Sequence, residues 1–170
     1  LNPPGPAGTV GRLTMPFDES LLAPFNGYLA LGMHADANDE LERLPTELKT
    51  HPAVLSARLD LSMEMERWED SAILGRSLFK LWPDECSFYV RTAFCLHEMK
   101  RTQDARQTLL DGPEALRSHA VYFYNLACYE AQLGNIVEAK RQLAICFKMD
   151  KNYKAESLDD PDLEPLWASF

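Results

Sequence analysis

The chain has 170 residues, 46% of them hydrophobic and 25% charged, a balance that supports one domain with a real core and excludes a wholly disordered polymer. Seventeen Lys and Arg stand against 26 Asp and Glu, a formal net charge of −9, which argues against nucleic acid as a partner. No run approaches the roughly 18 to 20 apolar residues of a membrane span, so no membrane partner is expected and a cytoplasmic location is the default.

Residues 1–17 make a Pro/Gly-rich leader with little apolar pattern, expected to be extended, as a linker or a non-native remnant. From Asp18 the chain divides without insertion into four blocks of 34 residues: 18–51, 52–85, 86–119 and 120–153. The first block carries Pro24 and Gly27 in its opening helix and is expected to supply a shortened first helix and a full second one. In the second, around Trp68, either Ser71 or Ala72 suits the helix crossing. The third block is clearer, but Gly112-Pro113 interrupts its second helix, which should end near Asp111 because proline lacks an N–H and clashes with the preceding turn. The fourth shows two amphipathic stripes, Phe123, Leu126, Ala127 and Glu130, then Ala139, Leu143 and Cys146. Residues 154–170 change character. Asp160-Pro161 reads as a helix start, and Leu163, Leu166, Trp167 and Phe170 fall on one face of a short terminal helix. That helix is expected to cap the last repeat, or alternatively to dock into another copy.

The columns of this frame agree. The twentieth position is always small, Ala37, Ser71, Ala105 and Ala139, as two closely crossing helices require. The eighth holds Phe25, Leu59, Ala93 and Ala127. The fifteenth, between the helices, holds Gly32, Glu66, Lys100 and Gly134, and Gly134 is placed to stop a helix in the left-handed conformation.

The run Tyr124-Asn125-Leu126-Ala127-Cys128-Tyr129-Glu130-Ala131-Gln132-Leu133-Gly134-Asn135, followed by Glu138-Ala139, resembles a tetratricopeptide repeat. Ala93 to Ala105 is similar, and Pro83 matches the proline that commonly ends a repeat. The chain thereby resembles the small bacterial proteins of the tetratricopeptide family, with Thr92 and Arg58 departing where the family usually has Leu. The resemblance implies an all-α, right-handed α-solenoid of antiparallel helix pairs, a tetratricopeptide-like superhelix, closed by a C-terminal capping helix. It further implies a concave groove lined by the first helix of each pair, where a protein or peptide client binds. Carried onto this chain, the groove positions include Asp60, Met63, Val90, Arg91, Phe94, His97, Tyr124, Asn125 and Cys128, with Phe94 and Tyr124 as the leading aromatic anchors. Recognition of a terminal carboxylate, as in the chaperone-tail class of the family, is not expected. Arg91 and Asn125 suit it, but Ser56, Asp60 and Ser87 stand where basic or amide groups are needed.

No catalytic or cofactor constellation emerges. Cys95 and His97 lie two apart, about 200° around a helix, so they do not share a metal easily. No GxSxG, HExxH or phosphate-cradling glycine loop occurs. Cys86, Cys95, Cys128 and Cys146, without CxxC spacing, read as reduced core thiols. The expectation is therefore a non-enzymatic adaptor or scaffold without cofactors. The alternatives are a small acidic secretion-type chaperone and a self-associating structural module.

Overall fold

A computed structural model describes residues 17–167. The expected leader, apart from Phe17, and Phe170 at the far end lie outside the described residues. Every regular element is helical, with no strand among the described residues. The chain forms two compact units that divide after Leu55.

The first unit contains a 3-10 turn, Glu19–Leu22, started by the Asp18 carboxylate accepting from the Ser20 amide at 3.0 Å. It runs into α1, Ala23–Ala30, which is short and has Pro24 in its first turn, where a missing N–H costs nothing. Helix α2, His34–Arg43, packs back on α1, with Phe25, Ala37 and Leu41 buried.

Helix α3, Pro52–Glu64, leads into the second unit, followed by α4, Trp68–Leu81, α5, Cys86–Glu98, and α6, Thr102–Leu110. A 3-10 stretch, Glu114–Ser118, precedes α7, Ala120–Gln132, and α8, Ile136–Met149. From α5 to α8 each helix packs against the one before it in the chain. Helix α6 stops at Leu110, before Gly112-Pro113, because Pro113 offers no N–H and disfavours helical backbone in the residue before it.

The 34-residue period has a local cause at the turns. Gly32, Glu66, Lys100 and Gly134 all have positive φ, from 55° to 81°. In each case the next residue's N–H reaches the carbonyl five residues back: Met33 to Tyr28, Arg67 to Ser62, Arg101 to Leu96 and Asn135 to Glu130, at 2.8 to 3.0 Å. This bond satisfies a carbonyl that the helix end would leave open. Five residues after each turn residue lie Ala37, Ser71, Ala105 and Ala139, all wholly buried. Ser71 thus holds the crossing position. Its hydroxyl donates to the Arg67 carbonyl and meets Ser62 Oγ of α3, each at 2.8 Å, so a polar side chain fits there at no cost in unpaired groups.

At the twenty-fourth position of the second block stands Gly75, buried on α4 where it meets α5. A Cβ there would overlap Thr92 Oγ1, which is itself bonded to the Phe88 carbonyl at 2.7 Å. Gly75 and the departure at Thr92 therefore belong together: glycine on one helix makes room for a β-branched hydroxyl on the next.

After α8 comes a short helix α9, Tyr153–Asp159, which the sequence pattern does not signal. A 3-10 turn, Pro161–Leu163, and one helical turn, α10, Glu164–Trp167, follow. The expected capping helix, beginning at Asp160, is thus a 3-10 turn that runs directly into α10. Leu163 and Leu166 are wholly buried in the main core, each contributing about 1.5 to 3 kcal/mol.

Lys100 bears a left-handed conformation that glycine adopts freely. Lys100→Gly should stabilise the chain by about 0.5 to 1 kcal/mol, and Gly134→Ala, with open space around the added methyl, should cost about 1 kcal/mol through backbone strain alone. Urea unfolding midpoints check both signs. Gly75→Ala should cost about 1 to 3 kcal/mol despite alanine's better helix propensity, and Thr92→Ala in that background should return part of it. A double-mutant cycle reads the coupling, and additive effects would remove the proposed fit.

Candidate functional site

Helices α3, α5 and α7, the first members of successive pairs, present adjoining side chains. Arg91 of α5 donates to Ser56 Oγ at 2.6 Å and lies 3.2 Å from the Asp60 carboxylate, both on α3. Burial pushes the Asp60 carboxyl up, and nearby Glu64 adds to this, while Arg91 pulls it back. Phe94 is 38% exposed and sets its ring edge-on to Trp68, with centroids 5.8 Å apart. Met63 is half-buried against the core, and Asn125 is half-buried on α7.

At the N-terminal ends of α5 and α7 the surface opens into a cavity of about 270 Å³. Cys86, Val90, Leu116 and Val121 give it apolar walls, and Ser87, Arg91, His119 and Glu85 give it a polar edge. Its place follows from the shortened α6: the 3-10 stretch that replaces the missing helical turns carries Leu116 into the cavity wall.

Further along the same helices, three of the side chains expected to line a groove are covered. His97, Tyr124 and Cys128, read as groove-lining contacts, are only 4%, 8% and 4% exposed. The chain's own segment after α9 covers them. Tyr124 donates its hydroxyl to Asp160 Oδ2 at 2.6 Å, and the Cys128 thiol points to the same oxygen at 3.7 Å. His97 Nε2 lies 2.9 Å from Asp162 Oδ2, and its Nδ1 lies 3.0 Å from Thr102 Oγ1. An ionised carboxylate only accepts, so Nε2 carries the proton, and in the neutral ring Nδ1 accepts from the Thr102 hydroxyl. Gln132 Nε2 donates to the Asp162 backbone carbonyl at 2.9 Å. Tyr153 of α9 packs its ring on Tyr124 at 4.7 Å.

The sequence reading missed Asp160 and Asp162 as partners of this face. The Asp-x-Asp spacing ahead of Leu163 was the available signal, but it marked only a helix start. It also missed a buried charge. Glu130, 2% exposed, receives Arg106 Nε at 2.6 Å and Asn135 Nδ2 at 2.7 Å, tying α6 to the α7–α8 turn. Removing either partner would leave a buried carboxylate short of donors, which is why such pairs are costly to break.

Among the described residues no three His, Cys, Asp or Glu side chains are grouped to hold a metal ion, and no helix is long and apolar enough to cross a membrane. No protein-family model and no curated protein matches this sequence.

The cysteines are not equivalent. Burial pushes the Cys95 and Cys146 thiols up to about 11, and burial followed by the Asp160 and Asp162 charges raises Cys128 further. Cys86 is also raised by burial but is half-exposed at the cavity. Since the thiolate is the nucleophile, a disulfide reagent at pH 8 should modify Cys86 well ahead of the other three, which should react only as the chain unfolds. Peptide mapping of the labelled native protein checks the order, and rapid labelling of Cys128 would contradict it.

Proposed function

We propose that the chain is a tetratricopeptide-type α-solenoid serving as a non-enzymatic adaptor, which holds a protein or peptide client on the α3–α5–α7 face. The observation that carries this reading is the cavity beside Val90 and Val121. It lies on the face where the family's clients bind, and it joins an apolar floor to a polar rim, the composition of a recognition pocket. The recurrence of one turn geometry every 34 residues supports the family assignment, since each turn closes a helix pair of the same kind. Arg91, braced by Ser56 and Asp60, supplies a fixed cationic rim in place of a mobile side chain.

A photo-crosslinking amino acid placed at Val90 should capture a discrete client from a cell extract, while the same group at Ile73, exposed on α4, should not. The recovered client should bind Val90→Glu at least about tenfold more weakly, because a charged carboxylate replaces part of the apolar wall the client would cover. Equal capture from both positions, or undiminished binding by Val90→Glu, would overturn the assignment of the client to this face.

A further inference from the structure

We propose that Asp160–Trp167 is a resident, releasable ligand of the α5–α7 face, and that the partner this face accepts is an acidic, leucine-bearing segment of the same kind. The inference rests on the reading of this face as a binding surface and names what binds there.

The chemistry of the contact is the first ground. A segment that merely covered an open core would need apolar side chains, and Leu163 and Leu166 meet that need. Here two carboxylates also turn inward onto donors provided by two different helices. Tyr124 meets Asp160, and His97 meets Asp162. Gln132 reads the backbone between them and the leucines. With the segment docked, His97 and Tyr124 are more than nine-tenths buried, so an occupant that covered them without offering acceptors would leave both as unpaired polar groups. The face is thus built for carboxylates two residues apart, followed by an apolar residue.

The second ground is the tether. The leucines anchor the segment itself, but it is joined to α8 only through α9, in which Ser157 alone is buried and Tyr153 half-buried, and through exposed Lys151 and Asn152. Local openings draw on elements with few buried contacts. The third is position. Val121, in the cavity wall, is one helical turn before Tyr124, under the segment, so a longer incoming chain would cover both.

The test uses the full chain and a fluorescent synthetic peptide of residues 158–167. In the wild type the tethered segment competes at an effective concentration in the millimolar range, so the peptide should bind Asp160→Asn/Asp162→Asn at least about tenfold more tightly than wild type. A peptide carrying the same two asparagines should bind that variant at least about tenfold more weakly than the native peptide does. A folded variant that binds no peptide, or binds it no better than wild type, overturns the proposal. Hydrogen exchange on the unaltered chain decides the matter independently of whether the variant folds. Amides of Asp162, Leu163, Glu164 and Leu166 exchanging together, well ahead of α7, support release, and exchange only at the rate of α7 overturns it. Client capture at Val90 with a segment that never opens would sink this inference alone and leave the adaptor reading standing.

Discussion

A single backbone hydrogen bond, repeated at four turns, carries most of the geometry. It runs from the residue after each left-handed position to the carbonyl five residues back. By ending one helix and redirecting the chain within two residues, it fixes where the next helix starts, and so which side chain arrives at the crossing. That side chain is Ala37, Ser71, Ala105 or Ala139, each with no exposed surface. A larger residue would hold the axes apart and loosen the packing around it. The spacing of 34 is the chain's way of bringing a turn and a small residue to the same relation each time.

This explains why glycine is absent from two of the four turns. Glu66 and Lys100 adopt the same left-handed backbone as Gly32 and Gly134, at a local cost of roughly 1 to 2 kcal/mol each. The flanking helices, α3 with α4 and α5 with α6, bury enough side chain to hold them there. A local preference has yielded to packing. Gly75 and Thr92 show the reverse arrangement, with each residue odd for its position and the pair sound.

These cases mark what sequence could and could not convey. The helix pairs, the crossing residues and the interruption at Pro113 were legible because they depend on neighbours within one block. Asp160 and Asp162 gave a local signal, a helix start, and that signal was accurate: Asp160 Oδ1 accepts from the Asp162 amide at 2.9 Å. Their other contacts lie 36 and 65 residues away, to Tyr124 and His97, and no periodicity encodes such a pairing. The transferred groove positions therefore divided. Val90 and Arg91 border open space, whereas His97, Tyr124 and Cys128 lie beneath the chain's own end.

The division of labour within Asp160 has a consequence for recognition. One carboxylate oxygen caps the 3-10 turn while the other receives Tyr124 and faces Cys128. Pro161 fixes φ at the turn's first position. The local fold that the cap sets is the one that aims Asp162 at His97 and delivers Leu163 to the core. Such a segment loses little freedom on docking, because its shape is set by bonds within three residues. On a chain of net charge −9, long-range attraction does not bring acidic groups to this face. What holds them is short-range, a set of donors fixed on rigid helices and matched to the acceptors one tight turn presents. Selectivity at this face accordingly depends on the turn as much as on the charge, and an acidic segment unable to form it would present its carboxylates out of register with Tyr124 and His97.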